Sequence, residues 1–335
     1  MENIFNTKRI FDASPAASGG FVWDIQRDKV VTVQSPATVA NMVCGFDVLG
    51  FAVEAPYDVM RIQFSNQPGI TIINEDDFQL PVEPEKNVAG AALLALLAEV
   101  PIPGLGMEIR IRKQIKPGSG VGSSAASAAG AVVAANYLLN EPFSKSDLVR
   151  FAMNGEKLAS GVKHADNIAP CIYGGVTLIR SIFPLDIISI PAPELYVTIV
   201  HPQIEVRTSD ARSILKQNVL LKDAIKQWGN IAGLVAGLLQ SDYALIGRSL
   251  EDVLIEPVRS ILIPGFHEVK ERARAVGALG GGISGSGPSI FMLSTQRDIA
   301  EAIEQEMKAI FSRIELAHHT YVTTINSAGI RVIES

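Results

Sequence analysis

The sequence is poor in cysteine, in charge and in clustered basic residues. Only two of its 335 residues are cysteines, Cys44 and Cys171, which is too few for a disulfide framework and fits a reducing compartment. Charged residues make up 19%, the net charge is -6, and no segment concentrates lysine and arginine. Nucleic acids and anionic membrane surfaces are therefore not expected as partners. Because no apolar leader follows the first residues, we predict a cytoplasmic protein.

Two stretches lack charge altogether, 117–140 and 275–296. The first is long enough to be tested as a membrane span, but glycine, serine and alanine supply most of it. We therefore interpret both stretches as buried or ligand-facing backbone and predict no membrane association. The length and the 47% apolar content predict two domains with substantial cores.

Strand and helix patterns are mixed without strict alternation, which indicates an α+β fold. Predicted strands are 29–33, 57–64, 107–115, 174–182, 195–201, 290–294, 321–325 and 329–332. Predicted helices are 87–100, 125–139, 146–158 (with Ser146 as its N-cap), 208–216, 220–239, 265–279 and 296–311. A proline-rich segment, 183–193, is the candidate domain joint. We expect an N-terminal extension at 1–28, a first domain at 29–192 and a second at 193–335.

A glycine-rich turn, 117–124, lies between a predicted strand and an alanine-rich helix. Glycines let backbone N–H groups converge on an anion, and the helix start adds unpaired donors and a positive dipole. The plainer alternative is a Gly-Ser turn that only caps the helix. No lysine follows the last glycine, so the turn is not a Walker A loop. A literal GxGxxG at 280–285 follows a helix and precedes a strand, the reverse of the order in a dinucleotide site.

Separate segments resemble one family, the GHMP small-molecule kinases. Residues 117–127 (PGSGVGSSAAS) resemble its ATP-binding signature, with Val121 in place of the usual leucine. Residues 281–291 (GGISGSGPSIF) are similar to its third, glycine-rich motif near the C-terminus.

Two further segments resemble the homoserine kinase branch of that family. Residues 35–49 (SPATVANMVCGFDVL) are similar to its first motif, although Met42, Val43 and Cys44 replace Leu, Gly and Pro. Residues 164–170 (HADNIAP) are the piece most particular to this branch. The resemblance covers residues 29 to 335, with the order and spacing of the segments intact.

The resemblance implies a two-domain fold, with an N-terminal domain like ribosomal protein S5 domain 2 and a C-terminal ferredoxin-like domain. It also implies ATP and Mg²⁺ as cofactors, L-homoserine as substrate, O-phospho-L-homoserine as a product on the way to threonine, and a homodimer. ATP would be bound by Pro117, Gly118, Ser119, Gly120, Val121, Gly122, Ser123, Ser124, Ala125, Ala126 and Ser127.

The remaining site residues follow from the same resemblance. Ser124 and Glu156 match the Mg²⁺ positions. L-Homoserine needs an anion for its ammonium group and a cation for its carboxylate, and guanidinium groups suit planar carboxylates. The positions that match substrate binding are Asn41 and Asp47 for the ammonium group, Thr208, Arg212 and Arg259 for the carboxylate, and His164 and Asn167 beside the reacting hydroxyl.

The predicted catalytic residues are Asn167, Glu156 and Ser124. Mevalonate-type relatives carry an aspartate eleven residues after the metal-binding glutamate, where this chain has Asn167. Because an amide does not accept a proton usefully at neutral pH, we predict in-line attack by the hydroxyl without a strong protein base. Another GHMP kinase acting on mevalonate, shikimate or a sugar, and a non-catalytic ligand sensor, remain the alternatives. Both cysteines are interpreted as packing residues.

Overall fold

A computed structural model describes residues 26–161 and 163–335 of the chain. The strands are β1 (Val30–Ala40), β2 (Leu49–Ser65), β3 (Gly69–Asn74), β4 (Gly106–Arg112), β5 (Val176–Ile182), β6 (Leu185–Ile190), β7 (Tyr196–Pro202), β8 (Gly280–Ile283), β9 (Ile290–Ser294), β10 (His318–Thr324) and β11 (Arg331–Glu334). The helices are α1 (Val88–Leu97), α2 (Ser123–Leu138), α3 (Lys145–Ser160), α4 (Ile168–Tyr173), α5 (Thr208–Ser213), α6 (Leu221–Gln240), α7 (Tyr243–Ser249), α8 (Glu256–Arg259), α9 (Phe266–Ala275) and α10 (Arg297–Arg313).

The first sheet has the order β11-β1-β2-β4-β3, and the hairpin β5–β6 joins it through β2. Helix α2 packs against β1 and β2 and against α1, α3 and α4. Its small side chains allow this, and nearly all of them are buried. Gly130 shows why they must be small, since a Cβ there would lie 2.7 Å from the Met60 side chain. The helix that follows the glycine-rich turn is thus fixed at the centre of the first domain.

The second sheet has the order β10-β7-β9-β8, all antiparallel. Numbered within this unit the strands run 4-1-3-2 with helices after the first and third, which is the ferredoxin-like βαββαβ arrangement. Helices α9 and α10 pack on it around Phe266, Met307 and Phe311. The chain then returns to the first sheet, where β11 pairs with β1. The last strand of the segment 193–335 therefore belongs to the first sheet.

Several local predictions differ from the structure. The N-cap of α3 is Ser144 and not Ser146, because Ser144 and Asp147 form a reciprocal capping box. The proposed joint 183–193 contains β6, so the crossing to the second sheet begins only after Ile190. Strand β3 and helix α4 were not predicted, and the extension 1–28 lies outside the described residues up to residue 25. No helix in the described ranges combines the length and apolarity needed to cross a membrane.

Candidate active site

A cleft of about 520 Å³ lies where the first motif, the glycine-rich turn, the 164–167 segment and the second domain meet. Predicted residues that line it are Asn41, Asp47, Pro117, Gly118, Gly120, Gly122, Ser123, Ser124, Ser127, Glu156, His164, Asn167, Thr208, Arg212 and Arg259. Four predicted ATP-loop residues are buried behind the turn instead, namely Ser119, Val121, Ala125 and Ala126. The volume is typical of a small-molecule site.

The glycine-rich turn has a backbone that only glycines adopt without strain. Gly118, Gly120 and Gly122 have φ angles of 76°, 81° and 71°, in the left-handed region. A Cβ on Gly122 would lie 2.0 Å from Thr38 Oγ1, so space forbids a side chain as well. No side chain caps the start of α2, which leaves its first N–H groups available to an anion.

The third motif braces this turn from the second domain. Ser284 Oγ donates a hydrogen bond of 2.7 Å to the Gly120 carbonyl, and Ser289 Oγ donates one of 2.6 Å to the Ser119 carbonyl. These hydrogen bonds direct the two carbonyl groups of the turn toward the second domain. The GxGxxG at 280–285 serves this bracing, since it forms β8 and the turn after it.

A buried ion pair that sequence reasoning missed holds the other side of the turn. The Lys113 ammonium contacts the Asp58 carboxylate and donates to Ser127 Oγ at 2.8 Å and to the Ser123 carbonyl at 3.2 Å. Asp58 also accepts from the backbone N–H of Gln114 and Ile115 at 2.8 and 2.9 Å. Burial raises the pKa of Asp58, while the Lys113 cation opposes that shift. Lys113 also lines the cleft, but its side chain is only 1% exposed and the three hydrogens of its ammonium group are taken by Asp58, Ser123 and Ser127.

Ser124 and Glu156, the predicted metal pair, are in contact. Ser124 Oγ donates to Glu156 Oε2 at 2.9 Å. Burial raises the pKa of Glu156, and the Ser124 hydrogen bond works against it. A hydroxyl and a desolvated carboxylate at a helix start are hard oxygen donors that suit Mg²⁺. Because the described residues contain no group of three or more His, Cys, Asp or Glu side chains arranged for a metal, such an ion would take its other ligands from phosphates and water.

The opposite end of the cleft concentrates side-chain charge. Arg212 Nη2 donates to both carboxylate oxygens of Asp47, at 2.8 and 3.0 Å. Arg259 is buried and donates to the Ala211 carbonyl at 2.9 Å. Both guanidinium groups lie over the Phe46 ring, 5.3 and 4.9 Å from its centre. Burial, with the nearby Arg212 cation, lowers the pKa of Arg259 to about 10.

Polar atoms at this end are left without partners. His164 Nδ1 lies 3.7 Å from Asp47 Oδ1, but His164 Nε2 is buried without a hydrogen bond, and so is Arg212 Nε. Thr208, on the same side of the cleft, has its hydroxyl 3.3 Å from that of Ser286. Most buried polar atoms in folded proteins are hydrogen-bonded, so two unpartnered atoms on side chains that line one cleft are consistent with a ligand site there.

Asn167 and Asp166 lie between the two ends. Asn167 lines the cleft, and its Oδ1 accepts a hydrogen bond of 2.8 Å from Thr38 Oγ1, while its amide nitrogen is a hydrogen-bond donor. Asp166 lies within the 164–170 segment but was given no role in the predicted site, and it is buried at the wall of the cleft. Burial and then the negative charges of Asp47 and Glu156 raise the pKa of Asp166 to about 7.

The first-motif loop takes an unusual backbone conformation. Asn41, Met42 and Val43 follow one another with φ angles of 73°, 41° and 67°, in the left-handed region that glycine favours. Asn41 Nδ2 donates to the Gly285 carbonyl at 2.8 Å, and Asn41 Oδ1 accepts from the Asp47 N–H at 3.1 Å. These bonds fix Asp47 in the cleft although the loop departs from the usual pattern.

Both cysteines are buried and unpaired, and burial raises the pKa of each thiol to about 12. Thiolate chemistry at neutral pH is therefore disfavoured.

Comparison with known proteins places this chain in a family. The model of the GHMP kinase N-terminal domain matches residues 87–175, and the model of the GHMP kinase C-terminal domain matches residues 234–313. A homoserine kinase of Chloroherpeton thalassium is 47% identical over 319 residues, which is 91% of this chain and 100% of that protein. A homoserine kinase of Chlorobaculum tepidum is 45% identical over 321 residues, 92% of this chain and 99% of that protein.

The structure agrees with these sequence matches. The crystal structure of homoserine kinase from Cytophaga hutchinsonii superposes with a TM-score of 0.88 at 49% identity, covering 94% of this chain and 100% of that one. The predicted resemblance and the two-domain α+β fold are confirmed. The chain is an ATP-dependent kinase that acts on an alcohol, and it belongs to the homoserine kinases of the GHMP kinase family.

Proposed function

We propose that the chain transfers the γ-phosphoryl group of ATP to the side-chain hydroxyl of L-homoserine, giving ADP and O-phospho-L-homoserine on the way to threonine. One observation carries the choice of substrate. The cleft has a phosphate-binding turn at one end and, at the other, paired charges with two buried, unpartnered polar atoms, His164 Nε2 and Arg212 Nε. That arrangement suits a zwitterion that presents a hydroxyl toward the turn.

The nucleotide end supplies positioning and positive potential, which is most of what phosphoryl transfer needs. The N–H groups around Gly120–Ser124 and the start of α2 would surround the polyphosphate, and the buried Lys113–Asp58 pair would hold the turn in that shape. Ser124 Oγ and the Glu156 carboxylate would hold Mg²⁺, which supplies charge neutralisation between the phosphate oxygens when bound.

The substrate end accounts for recognition of an amino acid. The ammonium group would bind Asp47, and the carboxylate would bind Arg212 and Arg259, so that the zwitterion enters the existing Asp47–Arg212 ion pair. A neutral sugar offers no charge to replace this pair, and mevalonate offers a carboxylate without an ammonium group.

The transfer step takes place between the nucleotide end and the substrate end of the cleft, beside Asn167. The substrate hydroxyl oxygen forms a bond to the γ-phosphorus as the bond from that phosphorus to the β,γ-bridging oxygen breaks, and ADP leaves. Asn167 donates a hydrogen bond rather than accepting a proton, so the hydroxyl proton passes to an oxygen of the transferred phosphoryl group. The N–H groups of the turn and the positive end of the α2 dipole stabilise the charge that develops on the phosphate oxygens.

The test is an ADP-release assay with L-homoserine, L-threonine, mevalonate, shikimate and galactose, each with ATP and Mg²⁺. We expect L-homoserine to have the highest kcat/KM. Preference for any other alcohol would overturn the substrate, and an absence of ADP release with all five would favour a ligand sensor. We propose a cytoplasmic location, which the two unpaired thiols support.

A further inference from the structure

One aromatic ring lies at the substrate end of the cleft, and no site role was predicted for it. Phe46 directly precedes Asp47 in the first motif, is half-buried and lines the cleft. The guanidinium carbon of Arg212 lies 5.3 Å from the centre of its ring, and that of Arg259 lies 4.9 Å from it. The ring thus contacts two cations that come from different helices, α5 and α8.

The backbone on either side of Phe46 is fixed by contacts within the protein. Before it, the Gln227 side chain donates to the Cys44 carbonyl at 2.8 Å. After it, the Asp47 N–H donates to the Asn41 side chain at 3.1 Å. A planar aromatic side chain has only two rotatable bonds, so little freedom remains once its backbone is held. The ring is therefore in place before a substrate enters.

The two guanidinium groups need a stabilising partner because they are neighbours of like charge. Arg259 Nε donates to the carbonyl of Ala211, the residue before Arg212. Burial and the Arg212 cation both lower the pKa of Arg259 to about 10. Among the described residues, Asp47 is the one carboxylate that accepts a hydrogen bond from either group. In the proposed function, the ammonium group of the substrate takes this carboxylate.

An aromatic face attracts a cation without occupying the donors that bind a carboxylate. The face carries the negative part of the ring quadrupole and attracts cations within about 6 Å of its centre. A carboxylate instead binds at the edge of a guanidinium group, in its plane, through parallel N–H donors. A substrate that separates Asp47 from Arg212 therefore leaves the contact of Arg212 with Phe46 intact.

We propose that Phe46 is a positioning residue, whose ring holds Arg212 and Arg259 side by side while the substrate carboxylate replaces Asp47 as their anionic partner. The proposal rests on the proposed function, since it takes the two arginines as the carboxylate site. Loss of the attraction should weaken binding of the amino acid. It should leave the nucleotide unaffected, because the glycine-rich turn lies at the opposite end of the cleft.

Fluorination of the ring separates attraction from packing, because it withdraws charge from the ring face at nearly constant size. Phe46 is replaced site-specifically by phenylalanine analogues with one, two and three ring fluorines. We expect the KM for L-homoserine to rise at each step, to about tenfold with three fluorines, with kcat and the KM for ATP within about twofold. A KM for L-homoserine that stays constant through the series would mean that Phe46 only fills space, and would overturn the proposal.

The matched control is the same series at Phe151. Phe151 is a buried ring with the Arg150 guanidinium carbon 4.5 Å from its centre, and it does not line the cleft. All three kinetic constants should stay within about twofold there, because the weakened cation contact is not at the substrate site. An equal rise in the KM for L-homoserine at Phe151 would mean that fluorination acts through the fold, and would also overturn the proposal.

A measurement without ligands tests the contact independently of the substrate. Urea midpoints are compared for the wild type, Phe46→Leu, Arg259→Met and the double variant. Phe46→Leu should lower the midpoint in Arg259→Met by about half as much as in the wild type, or less, because one cation is gone. Equal decreases in the two backgrounds would mean that the ring does not hold Arg259, and the proposal would be wrong. If the decreases differ but L-homoserine is not phosphorylated, the proposed function fails and the role of Phe46 in holding the arginines stands.

Discussion

The two ends of the cleft are built from different chemical groups, backbone N–H groups at one end and charged side chains at the other. At the end formed by the glycine-rich turn, which we propose binds phosphate, the buried Lys113–Asp58 pair supports the backbone, and the side chains of that pair are 1% and 0% exposed. At the substrate end the Arg212–Asp47 pair has side chains 34% and 31% exposed, next to polar atoms that have no partner. The first end is held in shape by contacts within the protein and offers only backbone N–H groups to a ligand, whereas the second offers charged side chains whose present partners a ligand can replace. Substitutions should therefore cost stability at the first end and substrate affinity at the second.

Lys113→Met should give the largest effect. It leaves the Asp58 carboxylate buried without its cation, and breaking a buried pair costs about 3–5 kcal/mol of unfolding free energy. Urea unfolding of the wild type and of Lys113→Met measures this loss of unfolding free energy. The neighbouring Arg112→Met is the matched control, since its side chain is 64% exposed and its ion pair should contribute less than about 1 kcal/mol. Equal stabilities of the two variants would show that the phosphate end is not held by this pair.

Asp166 lies between the two ends of the cleft, and Asp166→Asn should change how the unfolding free energy depends on pH. The folded pKa of about 7 is above the ordinary 3.8, so the folded protein binds more protons than the unfolded chain between about pH 4 and 7. The wild type should therefore lose unfolding free energy as pH rises through that window, by up to roughly 4 kcal/mol from this group.

The measurement is urea unfolding without ligands at pH 5 and pH 8. Asp166→Asn should reduce the loss, while the exposed control Asp77→Asn should keep it. An unchanged pH dependence in Asp166→Asn would mean that the carboxylate is solvated or paired in the folded protein.

Arg212→Met should act on affinity. It removes one of two guanidinium groups from the proposed carboxylate site, and we expect the KM for L-homoserine to rise about 100-fold, or about 2.7 kcal/mol, with the KM for ATP within about threefold. Stability should change by less than about 1 kcal/mol, because the pair is half-exposed. Arg207→Met, whose side chain lines the cleft but is 69% exposed, is the control. Parallel increases in both KM values would contradict a division of the cleft into two ends.

The same division explains what the sequence could predict. The glycine-rich turn was predicted because its glycines, its strand and its helix are neighbours in the chain, and that order alone indicates an anion-binding turn, although distant residues such as Ser284 hold it in place. The contact of Ser124 with Glu156 was expected from family spacing and is present. Position 113 is in phase with Ile109 and Ile111, which marks Lys113 as a charge on the buried face of the alternating strand. The pair was missed because its partner Asp58 lies on β2, far away in sequence, and no local pattern links the two residues.

Tertiary packing decided the rest. No glycine in the sequence indicates the left-handed backbone of Asn41, Met42 and Val43. Hydrogen bonds from the Asn41 side chain to Gly285 and Asp47 hold it. The sequence predicted a helix at 220–239 but not that Leu221, Ile225 and Trp228 are exposed on it, since the spacing of apolar residues does not say which of two apolar faces the fold covers.

Asn167→Asp gives the smallest expected effect and tests how the reaction proceeds at the junction of the two ends. The change replaces a donor by a carboxylate beside Asp166 and Glu156 and opposite the phosphate, so we expect kcat to fall about tenfold. Single-turnover ADP release with saturating ATP and L-homoserine measures it, and Thr38→Val, which removes only the bond that orients Asn167, should give a smaller decrease. An increase of several orders of magnitude in Asn167→Asp would mean that the missing base limits the reaction, and that direct in-line attack is wrong. A decrease would instead mean that Asn167 binds the phosphoryl group while it moves from the nucleotide, at the glycine-rich turn, to the substrate, at the Arg212–Asp47 pair.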